Sequence, residues 1–244
     1  MNINLREIDA LDPEIKKRLL GLRDFEGAYI IARLLGDKKK ILNIGCLWGR
    51  DHFFLNSLGK EVKNFDLGEQ NVPNLVVGDI TKKTKFKNNE FDAVIMGDVI
   101  EHILEDVEAL REVRRILKGD GKLIITIPYY DDFPEYHVRM HSEKTMKRLL
   151  QHSGFKINKI ITRGGLISLS KIVVIPSLIL SKINSSKRIS YLKKISEIDY
   201  SFGKKRRGIF KFSKSYGGYF LATKDKKIDF VDINRKEFIP SKNK

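Results

Sequence analysis

Cysteine is nearly absent from this chain: Cys46 is the single one in 244 residues. That excludes a disulfide framework and a cysteine-based zinc cluster, and a reducing, cytoplasmic compartment is the expectation. No stretch reaches ~18 uninterrupted apolar residues, so no membrane-spanning helix is expected. The first residues lack a basic segment followed by an apolar one, so no secretory leader is expected either. Acidic residues are scarce in one region only: residues 159–244 hold 21 Lys+Arg against 6 Asp+Glu, whereas residues 1–158 hold 26 against 25. A near-neutral front carrying a strongly basic last third suggests an anionic partner, whether nucleic acid, lipid headgroups or a phosphorylated substrate. A charged, heat-adapted surface gives the same bias without any partner.

Also missing are two glycines. Residues 40–51, Lys-Ile-Leu-Asn-Ile-Gly-Cys-Leu-Trp-Gly-Arg-Asp, run from a short apolar strand into a turn and then a helix. That is the first unit of an open α/β sheet, which binds nucleotides outside the carboxyl ends of its strands. Only Gly45 and Gly49 punctuate the turn, so the dinucleotide fingerprint G-x-G-x-x-G is incomplete and a pyrophosphate cradle is not expected.

What is present is an alternation of strands and helices. Two helices are expected within residues 12–36, the first with Pro13 in its first turn, the second ended by Gly36. Glu61 to Asp66 reads as a second strand ending in an acid, 21 residues beyond Gly45. A carboxylate there accepts hydrogen bonds from both hydroxyls of a ribose. Only eight residues separate Asp66 from Leu75, so the usual helix before the third strand should be nearly absent. The third strand closes on Gly78-Asp79-Ile80, where Asp79 suits an exocyclic amine or a turn cap, and Ile80 a flat apolar contact to a base. Phe91 to Asp98 is a continuous apolar strand, as expected when both faces are buried. A helix from Leu104 to Lys118 follows, then a strand from Lys122 to Pro128 after Gly119-Asp120-Gly121. Ser142 is a good N-cap for a helix over Glu143 to Gln151, and Phe155 to Thr162 and Tyr216 to Lys224 supply the last two strands. The fold class is therefore α/β, a doubly wound and mostly parallel seven-stranded sheet. An N-terminal helical cap (1–37), a core (38–162 and 216–225), an insertion before the last strand (163–215) and a charged tail (226–244) complete the division.

Taken in order, Ile-Leu-Asn-Ile-Gly-Cys-Leu-Trp-Gly, Phe65-Asp66, Gly78-Asp79-Ile80, the run from Phe91 to Ile103 and Ile-Leu-Lys-Gly-Asp-Gly-Lys-Leu-Ile-Ile-Thr-Ile-Pro resemble the class I S-adenosylmethionine-dependent methyltransferases, in particular the small-molecule group. The resemblance covers residues 38–162 and the last strand. It implies S-adenosyl-L-methionine as cofactor, with Asn43, Gly45, Cys46 and Gly49 at the methionine moiety, Asp66 and Leu67 at the ribose, Asp79 and Ile80 at the adenine, and Gly97 and Asp98 beside the sulfonium. Two residues depart from the family pattern. Asn43 stands where an acid is usual and Leu47 where a middle glycine is usual, so weakened cofactor binding or a non-catalytic, cofactor-binding partner protein is one reading.

Methyl transfer from a sulfonium is an in-line displacement with a good leaving group, so alignment in a water-poor pocket is the main requirement. A hydroxyl acceptor also gains from a base. His102, with Glu101, is the candidate at the carboxyl edge of the sheet; the alternative is that the pair merely begins a helix. In related quinone O-methyltransferases a similar Glu-His pair contributes to metal binding, but no further ligands are identified here and no metal is expected. Tyr129, Tyr130, His137 and Arg139 lie in the expected acceptor loop, which suits a sugar or phenol ring. The expected activity is O-methylation of a small molecule or lipid-linked glycan, with RNA methylation as the alternative. The insertion, apolar over 165–180 and basic over 187–214, has the composition of an element resting on an anionic membrane, with a lid or a dimer interface as the other reading.

Overall fold

The computed structural model describes residues 6–129, 137–163, 185–205 and 217–226. Its centre is a seven-stranded sheet of order β3-β2-β1-β4-β5-β7-β6. The strands are β1 (Lys40–Ile44), β2 (Glu61–Asp66), β3 (Leu75–Val77), β4 (Phe91–Gly97), β5 (Leu117–Pro128), β6 (Phe155–Arg163) and β7 (Gly217–Lys224). The first five pair in parallel, and β7 is inserted antiparallel between β5 and β6. The order reverses between β1 and β4, which opens a crevice at the carboxyl ends of those two strands.

Side chains alternate along the strands, and each face is covered by helices. Ile41, Ala93, Ile95, Ile124 and Tyr219 meet α1 (Pro13–Leu19), α2 (Leu22–Leu35) and α3 (Arg50–Asn56) on one face. Leu42, Val94, Met96, Leu123, Ile125 and Phe220 meet α4 (Asp106–Ile116) and α5 (Glu143–His152) on the other. Burial of both faces explains why β4 reads as an unbroken apolar run. Helix ends follow local chemistry. Asp12 caps α1 by accepting from the backbone N–H groups of Glu14 and Ile15, and Ser142 forms a reciprocal capping box with Thr145 on α5.

Two boundaries differ from expectation. Helix α4 ends at Ile116, and Leu117 already pairs with Phe91, so β5 runs through the glycine pair expected to precede it. A register shift between Phe91 and Ala93 absorbs the extra residues. Between β2 and β3 there is no helix, as the short spacing requires.

Within the insertion, Ser185–Lys205 forms a helix, α6. It packs on the same face as α2, with Ile189, Leu192 and Tyr200 buried in that core. Tyr29 on α2 donates a hydrogen bond to Glu197, Arg188 donates to the Leu20 carbonyl at 2.9 Å, and Lys159 on β6 donates to the Tyr200 hydroxyl at 3.0 Å. Ile189, Leu192 and Tyr200 of α6 are thus taken up by the protein's own core. The apolar run 165–180, Tyr130 and most of the tail lie outside the described residues.

Candidate active site

The site is built on the turn after β1. Gly45 has φ 69°, and a Cβ placed on it would lie 2.2 Å from Val99 Cγ2, so only glycine lets β1 pass this close to the segment after β4. Its N–H donates to the Phe65 carbonyl, and the Gly49 N–H donates to the Cys46 carbonyl, each at 2.8 Å. Between them Leu47 also adopts a left-handed backbone, φ 43°, and its side chain is 64% exposed.

Leu47 stands at the meeting of two concavities. One, of about 250 Å³, is walled by Gly45, Asp66 and Leu67, floored by Asp79 and Ile80, and bounded by Asp98 and His102. The other, about 790 Å³, is a groove formed with α1 and lined by Arg18, Trp48 and Phe53. The larger holds none of the expected site residues, so the chemistry selects the smaller. Pockets for drug-sized ligands span ~300–1,000 Å³, so this one lies just below that range.

Asp66 ends β2 and lines the pocket; its Oδ2 accepts from the Leu47 N–H at 3.4 Å and faces Cys46 Sγ at 3.6 Å. Burial, then the Asp66 charge, push the Cys46 thiol up to about 12, which makes it a poor nucleophile. Asp79 Oδ1 accepts from the N–H and hydroxyl of Thr81 at 2.8 and 2.7 Å, which lowers its pKa. The turn cap is therefore formed, and a carboxylate's ~four acceptor sites leave it able to meet a base as well.

Asp98 closes the pocket at the end of β4 in a left-handed backbone, φ 53°. Arg163, at the end of β6, reaches both of its carboxylate oxygens at 2.7 Å, and Thr126 donates at 2.9 Å. Burial raises the Asp98 pKa, but Arg163 and its hydrogen bonds outweigh it and hold the carboxyl below its ordinary value. Behind this pair, Arg50 and Asp51 form a second ion pair at 2.9 Å, with the Arg50 guanidinium close to Gly27 and Gly97. Buried Glu26 on α2 faces the cluster, and burial followed by the charge of Asp199 raises its pKa to about 7 against the pull of Arg163 and Arg50.

Several expected site residues lie elsewhere. Asn43 is buried, and its amide donates to Asn64 Oδ1 at 3.1 Å; it ties β1 to β2 and does not line the pocket. Cys46, Gly49 and Gly97 shape the turn and its support without lining the pocket. Tyr129 is 5% exposed and packs edge-on to Phe220, with Gly218 making room for its hydroxyl, so it is a core residue and not an open acceptor contact. Arg139 is also structural: its N–H donates to the Glu101 carbonyl at 3.0 Å and its guanidinium to the Leu104 carbonyl at 2.8 Å, with Asp106 at 3.5 Å. These contacts fix the preceding residue pair against the 3-10 turn Ile100–His102. His137 consequently sits across from His102, ring centroids 4.5 Å apart. Sequence reasoning missed Arg163 and Val99. The expected insertion begins at Arg163, and only the pairing of β6 with β7 carries this residue to Asp98.

Residues 42–125 match the family described as "Methyltransferase domain". The structure is similar to that of an S-adenosylmethionine-dependent methyltransferase from Archaeoglobus fulgidus, at 19% identity and a TM-score of 0.58 over 86% of this chain and 97% of that one. It is also similar to 1,6-didemethyltoxoflavin-N1-methyltransferase of Burkholderia thailandensis, crystallised with bound 1,6-didemethyltoxoflavin and S-adenosylhomocysteine, at 15% identity and a TM-score of 0.54 over 82% of this chain and 76% of that one. A sequence relative, an uncharacterized protein of Methanocaldococcus jannaschii, is 29% identical over 70% of this chain and 80% of its own length. Residues 42–125 thus carry a methyltransferase-domain sequence, on a fold shared with S-adenosylmethionine-dependent methyltransferases. Its particular features are the exposed, left-handed Leu47 in the turn after β1 and the helix α6, which packs against α2. Among the described residues, no helix is long and apolar enough to cross a membrane.

Proposed function

We propose that the enzyme methylates a hydroxyl oxygen of a small molecule or glycan. S-adenosylmethionine supplies the electrophilic methyl group. On this reading Gly45 and its turn accept the methionine moiety, Asp66 the ribose hydroxyls, Asp79 and Ile80 the adenine, and Asp98 lies beside the sulfonium. The observation that carries the oxygen assignment is His102. It is the one imidazole in the pocket wall, next to Asp98 and Val99, where a base would meet an acceptor hydroxyl. Its proton acceptance would leave the acceptor oxygen as the nucleophile, while the ion pairs behind Asp98 keep that edge rigid.

The test is a transfer assay with S-adenosylmethionine and paired hydroxyl and amine acceptors of similar shape, read by product mass and by the position of the new methyl carbon. Hydroxyl products are expected, and His102→Ala should lower kcat by ~10²–10⁴-fold. Methylation of amines alone, with His102→Ala as active as the parent, would overturn this reading.

A further inference from the structure

Asn64 is fully buried on β2, and its side chain reaches three other parts of the chain. Its Oδ1 accepts from the Asn43 amide on β1 at 3.1 Å, and its Nδ2 meets the Pro73 carbonyl at 2.6 Å and His52 Nδ1 on α3 at 3.0 Å. We infer that Asn64 is a positioning residue for the cofactor pocket: with Asn43 and a neutral His52 it holds the chain from Asp66 to Pro73 against the glycine turn. The inference deepens the cofactor half of the proposed function, on which it rests, and does not depend on the acceptor.

The hydrogen-bond directions follow from one fixed point. A carbonyl oxygen only accepts, so the atom of Asn64 facing Pro73 is the amide nitrogen, and Oδ1 is left for Asn43. The second proton of that nitrogen goes to His52 Nδ1, which must therefore offer a lone pair. His52 is thus a neutral imidazole carrying its proton on Nε2. Its surroundings favour that form. It is buried, Phe53 stands edge-on to it, and the network beyond Asn64 presents only the Asn43 amide and the Pro73 carbonyl. The charges beside it on α3, Arg50 and Asp51, pair with each other. Burial accordingly lowers its pKa.

The same directions account for Asn43. An aspartate there would set a carboxylate oxygen against Asn64 Oδ1, acceptor against acceptor, and turning the Asn64 amide over would give up the Pro73 carbonyl. That is the physical reason for an amide at 43, where an acid is usual in the proteins this turn resembles. What the three residues hold is the pocket wall. Phe65, next to Asn64, accepts from the Gly45 N–H at 2.8 Å, and Asp66 and Leu67 follow it into the pocket lining. Val72, next to Pro73, lies so close to the turn that a Cβ on Gly49 would come within 2.8 Å of it. Releasing Pro73 frees one end of this loop, and Asp66 and Leu67 then lose their fixed placement against Gly45.

The test uses the full chain and needs no acceptor. Long-range proton–nitrogen NMR spectra read the His52 tautomer, with the ring assigned through its contact with Phe53. Calorimetry reads S-adenosylhomocysteine affinity from neutral pH into acid for the parent, His52→Asn and Asn43→Asp. At neutral pH His52 is expected to carry a proton on Nε2 alone. The parent should lose at least ~10-fold in affinity as His52 takes up its second proton, because the Asn64 amide then faces a donor. His52→Asn, which offers an oxygen in place of Nδ1 and cannot be protonated, should match the parent at neutral pH and keep its affinity further into acid. Asn43→Asp should bind at least ~10-fold more weakly. A proton on His52 Nδ1 at neutral pH overturns the inference even if neither variant folds. So does an equal acid loss in the parent and His52→Asn, or parent-like affinity in a folded Asn43→Asp. A parent that binds no S-adenosylhomocysteine removes the cofactor reading and this role with it, while the His52 spectrum still reports whether the hydrogen-bond directions hold.

Discussion

Arg163 grips Asp98 through both carboxylate oxygens, at 2.7 Å each, across the whole width of the C-terminal half of the sheet. The pair links the last residue of β6 to the first residue beyond β4, and Asp98 lines the smaller pocket. Removing Arg163 leaves a partly buried carboxylate without its main counter-charge. Arg163→Met is expected to cost about 2–3 kcal/mol, less than the ~3–5 of a fully buried broken pair because Asp98 retains solvent access. Asp98 titrates below its ordinary value, so the contribution of the pair is complete above the unfolded carboxyl pKa and is lost as pH falls through the lower folded value. Urea denaturation at pH 7 and pH 3 should show the difference between parent and variant shrinking in acid.

Glu26 should behave in the opposite sense. Its pKa is raised to about 7, so the folded protein holds that proton more tightly than the unfolded chain does. Stability from this group is full below the unfolded carboxyl pKa and declines as pH rises through about 7. Glu26→Gln removes the decline, and the variant should be more stable than the parent by about 1–3 kcal/mol at pH 8. Melting temperatures across pH 4.5–8 check it, and equal slopes for the two proteins would contradict the burial argument.

Gly45→Ala tests the close approach of the turn to Val99. The new methyl group meets Val99 Cγ2 and the residue must keep a left-handed backbone, a combined cost of about 1–3 kcal/mol. Displacing Val99 also distorts the pocket wall. At least a tenfold loss of S-adenosylhomocysteine affinity is expected by calorimetry.

Leu47→Gly should act in the other direction. Glycine relieves a left-handed backbone that costs other residues ~1–2 kcal/mol, while its extra unfolded-state freedom removes ~0.5–1, so stability should change little. Cofactor affinity should rise several-fold as the wall between groove and pocket opens. Unchanged affinity would mean that the exposed leucine never obstructs the cofactor.

The elements could be read from the sequence wherever burial on two faces left an apolar run or a glycine stopped one. That holds for β1, β2, β4, and the ends of α2 and α5. It failed at Leu117, because the pairing of this residue with Phe91 is a sheet property that helical spacing does not report. The pocket-lining acids were legible because they lie at or just beyond strand ends, as Asp66, Asp79 and Asp98 do. Asn43 was misassigned because neighbouring strand residues point to opposite faces: Ile44 lines the pocket while Asn43 turns to Asn64. The encounters of Arg163 with Asp98 and of His137 with His102 join residues 65 and 35 positions apart, and no local pattern encodes them.

Inserting β7 between β5 and β6 also sets an order of events during synthesis. The sheet partner of Phe155–Arg163 is made last, so this strand and the arginine at its end must wait for residues 217–224. At ~5–20 residues per second the delay is on the order of several seconds. Until then the Asp98 clamp cannot close, and a ribosome-bound chain truncated before β7 should leave β6 without an edge to join and Asp98 without its counter-charge.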